Sequence, residues 1–347
     1  MGRLKGKNDL ATLDAVTRCR LWLTTAALAL AGCTGPFPQS TLRPRSDFGR
    51  AIDHLFTDIF WWAVIVFVLV ETLLLIALIR FRHREGRPAP KPTHGHTALE
   101  IGWTLAPAVI LVLVAVPTVR TIFATAGDAP PDALKIDVIG HQWWWEYRYP
   151  TLGVVTANEM HVPVGKPVQV SITSADVIHS FWAPTLGGKR DAIPGHETRI
   201  AFRADSVGDY PGQCAEFCGK SHATMGLRVI VDADAAFETW AKAEQGGPAT
   251  PAPGSPGERG KAVYSRSACL ACHTIQGVSP GVIGPNLTHV GSRTTIAGGM
   301  FPNDSAHLAR WIADAAALKP GSLMPRMQPP LSDGDIALIV AYLQSLK

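Results

Sequence analysis

The sequence predicts a membrane-anchored chain of several domains: a hairpin of two transmembrane helices, a β-sandwich or barrel, and a small all-α domain at the C-terminal end. Three observations carry this. Two apolar runs, about 56–79 and 101–123, are each long enough to cross roughly 30 Å of hydrocarbon. Between about 135 and 231, short segments alternate polar and apolar residues with Gly and Pro between them, as half-buried strands do. Beyond a Pro- and Gly-rich stretch at 241–259, the rest reads as amphipathic helices around a C-x-x-C-H motif. At 347 residues the chain has room for two or three domains. Its net charge of +4 is modest, and no basic stripe with interleaved aromatics points to nucleic acid.

Residues 1–32 read as a targeting segment. Arg3, Lys5, Lys7, Arg18 and Arg20 form a basic start, and the apolar run Leu21 to Ala31, 11 residues long, is too short to span a bilayer easily. It ends in L-A-G-C at 30–33, which resembles a bacterial lipoprotein box in which Cys33 would carry the lipid. An ordinary hydrophobic segment with a chance cysteine is the other reading. Residues 33–127 then hold an N-terminal segment and the hairpin. Trp61 and Trp62 sit near the start of the first span, as interfacial anchors do. Arg80, Arg82, His83, Arg84, Arg87 and Lys91 make the connecting loop basic, which places it on the cytoplasmic side and both chain ends outside. Glu71 lies inside the first span, where a carboxylate is costly and is usually paired or functional. Glu100 opens the second span in L-E-I-G-W-T-L-A-P-A, where a carboxylate also suits a helix N-terminus.

Residues 128–240 carry the strand signal: V-Q-V-S-I-T at 168–173, R-I-A-F-R at 199–203 and L-R-V-I-V at 227–231. In H-Q-W-W-W-E-Y, strand alternation would put Trp143 and Trp145 on one face and Trp144 on the other. The chemistry is concentrated in C-A-E-F-C-G-K-S-H-A-T-M, Cys214 to Met225. Two thiols, an imidazole and a thioether are soft donors, suited to copper, zinc or iron–sulfur rather than to magnesium or calcium. The spacing Cys-x3-Cys-x3-His-x2-Met is not that of a four-ligand zinc site, and Met favours copper. His179, in D-V-I-H-S-F-W, offers a second imidazole. A structural disulfide between the two cysteines is the bland alternative, which leaves Met225 and the second His unexplained.

Residues 241–259 read as a flexible to semi-extended tether, and 260–347 as the last domain. C-L-A-C-H at 269–273 is the signature of c-type haem attachment: Cys269 and Cys272 as thioethers, His273 as an axial ligand. K-P-G-S-L-M-P at 319–325 resembles the methionine loop of cytochrome c, which makes Met324 the sixth ligand; Met300 and Met327 compete for that role. H-L-A-R-W-I-A-D-A-A-A-L at 307–318 is an amphipathic helix pattern, and Ser332 reads as the N-cap of a final helix.

The blocks D-V-I-H-S-F-W (176–182), D-A-I-P-G (191–195) and G-Q-C-A-E-F-C-G-K-S-H-A-T-M (212–225) together resemble subunit II of cytochrome c oxidase, the copper A subunit. With the fused haem motif, the resemblance is to the caa-type oxidases and covers roughly residues 50 to 347. It implies a cupredoxin-like β-sandwich and a class I cytochrome c domain. It implies a binuclear copper A centre: Cys214 and Cys218 bridging two coppers, His179 and His222 capping one each, Met225 and the Glu216 carbonyl as weak ligands. It further implies electron acceptance at Trp143, a proton path beside Glu100, and a magnesium ion shared with subunit I through the Glu216 carboxylate. The partners implied are subunits I and III, and cytochrome c or another membrane donor. The setting implied is a bacterial cytoplasmic membrane with both redox domains outside. One departure is His196, where the family commonly has Arg. A copper A nitric oxide reductase subunit and a membrane-tethered electron carrier are the alternatives.

Overall fold

The computed structural model describes residues 17, 20–25, 35, 37–82, 85, 86, 92 and 94–347. The chain divides into two compact units, Met1–Pro38 and Gln39–Lys347; the second holds every element below. Cys33 lies outside the described residues, as do His83, Arg84, Arg87 and Lys91 of the basic loop.

Helix α1 (Asp47–Arg80) begins well before the apolar run expected from 56. Its first turns belong to the β domain. The Ser46 hydroxyl caps the helix by accepting the Gly49 N–H at 2.9 Å and donates to the Leu186 carbonyl at 2.5 Å. Asp47 accepts the Arg203 N–H at 2.8 Å, and Phe48 is buried in the β core. The hairpin is therefore rooted in the domain it anchors. Helix α2 (Thr97–Ala126) contains Pro107 and Pro117. Along both helices the apolar side chains face outward: the best window of each has a mean hydropathy of 2.8 and 2.2, with none of it buried inside the chain. Two long helices with bare apolar surfaces anchor the chain in a membrane.

The β domain is a sandwich of two five-stranded sheets. One has β1 (Leu134–His141), β2 (Trp144–Tyr149), β3 (Val154–Ala157), β5 (Pro167–Ser174) and β8 (Thr198–Arg203), in the order β3-β2-β1-β5-β8. The other has β4 (Glu159–Pro163), β6 (His179–Trp182), β7 (Arg190–Ala192), β9 (Gly208–Cys214) and β10 (Gly226–Asp232), in the order β4-β10-β9-β6-β7. The mixed pairing is set by β1, antiparallel to β2 and parallel to β5, with Val138 opposite Tyr147 and Ile172. The three predicted strands lie in β5, β8 and β10, and the strict alternation of β5 places Val168, Val170 and Ile172 fully inside. Facing residues Ile136, Tyr147, Met160 and Val229 fill the same core.

The Trp row departs from the strand reading. Gln142 and Trp143 form the turn between β1 and β2, so alternation applies only from Trp144. Trp145 is core; Trp144 stacks on His141 at 4.2 Å. Helix α3 (Asp234–Gln245) runs across the expected start of the tether at 241, because Trp240 packs on His161 at 4.4 Å and on Tyr149 at 5.2 Å. Helix α4 (Pro256–Tyr264), capped by Ser255, begins before its expected end at 259. The coil between them is thus only 246–255.

In the last domain, α4 crosses α8 (Asp333–Ser345), with Gly260 pressed on the Leu338 carbonyl where any side chain would collide. Ser332 caps α8, accepting the Asp335 N–H at 3.1 Å. Between them lie α5 (Cys269–Cys272), α6 (Ser305–Ala313) and α7 (Ala315–Leu318). The 307–318 pattern is broken in two because Asp314 turns out of the helix and caps α7 through the Ala317 N–H. Tyr264, Ile275, Ile339 and Tyr342 form the core.

Candidate functional site

At one end of the sandwich, the end of β9, the loop after it and the start of β6 bring the soft donors together. Cys214 closes β9, and His179 opens β6. The Cys214 and Cys218 sulfurs are 3.8 Å apart. His179 Nδ1 is 4.0 Å from the Cys214 sulfur, His222 Nδ1 is 3.6 Å from that of Cys218, and Met225 Sδ is 3.8 Å from Cys218. The Glu216 carbonyl is 3.2 Å from the Cys214 sulfur. Two donors bound tetrahedrally to one ion at about 2.1–2.3 Å stand about 3.5–3.8 Å apart. The cluster therefore has the spacing of ligands around a common ion, whereas a disulfide would need sulfurs about 2.05 Å apart. Both thiols are free, and His179, Cys214 and Cys218 form the one ligand cluster found among the described residues.

The electrostatics suit a cation. The hydrogen bond with Cys218 draws the Cys214 thiol well below its usual range, helped by His179 and by backbone donors against the effect of burial. The same bond pushes Cys218 up. A pair that competes for one proton is a pair that a soft metal can deprotonate together. Behind the cluster, Asp176 Oδ1 takes His179 Nε2 at 2.7 Å and leaves Nδ1 facing the sulfurs. Burial lowers the His179 pKa, and the bonds to Asp176 and Cys214 more than offset it. This carboxylate–imidazole–metal order is how metal-binding histidines are oriented. The Gln142 N–H fixes the other Asp176 oxygen at 2.7 Å, and Gly140 leaves room for the His179 ring, which a Cβ would approach to 2.8 Å. Sequence reading assigned Asp176 no role, although it opens the very block that contains His179.

The second site is an open cleft of about 190 Å3 in the last domain. Cys269, Cys272, His273, Met324 and Met327 line it; Met300 does not. His273 Nδ1 is bound to the Pro285 carbonyl at 2.8 Å, so Nε2 is the nitrogen left for an iron. Burial lowers the His273 pKa, which keeps the ring neutral and ligating. Gly284 lies against the ring, where a Cβ would come within 2.6 Å of Cε1. Arg293, half-buried, also lines the cleft; its guanidinium donates to the Asn286 carbonyl at 2.5 Å, and its buried Nε has no partner. A buried guanidinium Nε without a partner beside two free thiols and an oriented imidazole fits haem c, a group that carries carboxylates.

Trp143 stands between the sites. Its Nε1 donates to the Cys218 carbonyl at 3.0 Å, while its ring lines the cleft. Glu100 lies in the first turn of α2, far from either site in sequence, and its carboxylate accepts the His96 N–H at 3.2 Å as a helix cap. Glu71 borders an apolar groove between α1 and α2, beside Val70 and Val114.

Comparisons with known proteins agree with this architecture. Residues 45–121 match the family described as cytochrome c oxidase subunit II, transmembrane domain; residues 152–233 match its periplasmic domain; residues 257–347 match cytochrome c. Cytochrome c oxidase subunit 2 of Alkalihalophilus pseudofirmus is 35% identical over 94% of this chain and 99% of its own length. That of Bacillus subtilis is 32% identical over 95% and 98%. Among solved structures, the periplasmic domain of cytochrome oxidase subunit II from Bradyrhizobium japonicum is 38% identical, covers 33% of this chain and 96% of its own, and has a TM-score of 0.33.

Proposed function

The chain belongs to the family of cytochrome c oxidase subunit II, and on that premise we propose how its residues divide the work of bringing electrons to the oxidase. It is the electron-accepting subunit of a haem-copper oxidase, membrane-anchored, with copper and haem c as cofactors and other oxidase subunits as partners. When bound, the two groups would supply single-electron redox chemistry, which serves the reduction of dioxygen to water and the coupled proton pumping in subunit I.

The copper site is read as binuclear. Cys214 and Cys218 would each bridge both ions, His179 and His222 would end one each, and Met225 and the Glu216 carbonyl would be the weak ligands. The observation that carries this is the spacing of five side-chain donors: the two cysteine sulfurs lie 3.8 Å apart, His179 is 4.0 Å from that of Cys214, and His222 and Met225 are 3.6 and 3.8 Å from that of Cys218. A buried site whose donors already stand in place changes little when an electron arrives, which suits relay rather than substrate binding. In the haem domain, Cys269 and Cys272 would form the thioethers, with His273 and Met324 as axial ligands. Trp143 would conduct from the cleft to the copper ligand loop. Glu100 would assist proton delivery into subunit I, and the Glu216 carboxylate would share a magnesium ion with that subunit. Both domains would face the outer side of a bacterial membrane, with subunits I and III beside the hairpin and with cytochrome c or another membrane donor at the haem domain. Cys33 would add a lipid anchor.

The test is metal analysis and EPR of the full chain purified in its complex. Two coppers per chain with one unpaired electron spread over both is the expected result. One copper, or none, would overturn the binuclear reading. For Glu100, the expected result is slowed turnover with an unchanged copper signal in Glu100→Ala; unchanged turnover at all pH values would reduce Glu100 to a helix cap.

A further inference from the structure

The haem domain is seated on the copper domain by two buried charges, each reaching into the other's territory. Lys319, in the loop before Met324, is 3% exposed. Its Nζ donates to the carbonyls of Trp143 at 2.7 Å, Thr224 at 3.0 Å and Ala297 at 2.8 Å. Two of those carbonyls belong to the copper domain, one of them next to Met225. Three carbonyl oxygens use all three donors of an ammonium in place of water.

In the opposite direction, Glu159 on β4 is also 3% exposed. Its carboxylate accepts both backbone N–H groups and both hydroxyls of Thr294 and Thr295, at 2.6 to 3.1 Å. Between these anchors, the Ser221 hydroxyl donates to the Pro320 carbonyl at 2.6 Å. Gly321, with φ at +87°, lies flat on the Trp143 ring, where a Cβ would come within 2.6 Å. Trp143 is left 8% exposed, covered by the chain's own haem domain.

We propose that Lys319 and Glu159 are positioning residues that latch the haem domain in one fixed pose on the copper domain. The pose keeps Trp143 between the cleft and Cys218 and closes it to any external donor protein, which must then deliver to the haem domain alone. A haem domain that merely visited from its tether would need no such pair, because a short tether already holds it at roughly millimolar effective concentration. That tether would also mask a weakened latch, so the test must cut it. The conducting role of Trp143 comes from the functional reading above; the latch itself does not depend on it.

The experiment uses the full chain in its purified oxidase complex, with a protease site placed in the coil at 246–253. After cleavage, haem absorbance that stays with the membrane-anchored part measures the latch. The wild-type interface is expected to retain the haem domain through dilution. Lys319→Met leaves three buried carbonyls unpaired and should weaken retention about ten- to hundredfold. Thr294→Val combined with Thr295→Val removes two donors to Glu159 from the other side and should weaken it about tenfold. Intact haem and copper spectra before cleavage show that both domains have folded. Should Lys319→Met lose its spectra, the threonine variant decides.

A second readout is the rate of internal electron transfer from haem to copper in the uncut protein. It should be independent of ionic strength in the wild type, and slower and salt-sensitive in Lys319→Met. A wild-type haem domain shed on cleavage would overturn the proposal, as would variants that retain it as tightly as the wild type. Retention is read without copper, so a failed copper assignment would leave it unchanged.

Discussion

The copper cluster and the haem cleft are both built from sulfur and imidazole, yet they are prepared in opposite ways. The soft donors of the copper domain lie in direct contact: Cys214, Cys218, His179 and His222 are linked by distances of 3.6 to 4.0 Å. His179 and Cys214 sit on β6 and β9, strands of the sandwich, and Cys218 and His222 lie in the loop after β9. The haem-domain donors instead line an open cleft, with Cys269, Cys272 and His273 from one segment of the chain and Met324 from another. One set of donors is gathered by direct contacts; the other is spread around a cleft.

The largest expected effect follows from that contrast. Replacing Cys269 and Cys272 by Ala prevents attachment, and the haem domain should lose its folding free energy, about 5 kcal/mol or more. Calorimetry should show its transition vanish while the β domain melts as before. Stripping copper with a chelator should instead leave the β-domain transition within a few degrees of its former Tm. A collapse of both domains in either experiment would break the comparison.

Next in size is Cys218→Ser. It removes a shared ligand, so copper should fall to one per chain or none, and the shared-electron EPR signal should disappear. Haem absorbance should stay intact. Asp176→Asn keeps every ligand but weakens the partner that orients His179, and copper affinity should fall about ten- to hundredfold by competition with a chelator. On the haem side, Gly284→Ala tests the equivalent support: a methyl pressed on His273 should perturb the haem spectrum while leaving copper affinity unchanged.

The same contrast explains what could be read from the sequence. Four copper donors fall within one twelve-residue loop, and C-L-A-C-H is contiguous, so local spacing was enough to nominate both sites. The strands of the sandwich announced themselves by alternation, as in β5. What stayed hidden depends on distant partners. Lys319 looks like one more surface lysine until Trp143 and Thr224 are placed around it, and Glu159 reads as an ordinary strand carboxylate until Thr294 arrives from another domain. Arg293 becomes meaningful only as a lining of the cleft. Trp143 was assigned to a strand because aromatics favour strands, but a two-residue turn claims it and aims it at Cys218. Helix α3 outran the predicted tether because packing of Trp240 on His161 is not visible in composition.

The finest test of the comparison uses one side chain in both settings. Met225 is fully buried with its sulfur 3.8 Å from that of Cys218, and would be a weak donor to the copper site. Met324 lines the cleft and would be one of only two protein ligands along the iron axis. Leu has nearly the volume of Met, so the substitution removes sulfur with little packing change, about 1.5 kcal/mol or less. Met324→Leu should abolish the low-spin spectrum of a six-coordinate haem and lower its potential, since methionine ligation raises it. Met225→Leu should keep two coppers and the shared electron, with only a modest change in copper potential. Equal losses at the two positions would mean that the copper donors are not preorganised after all, and that the metal assembles its site as the haem does.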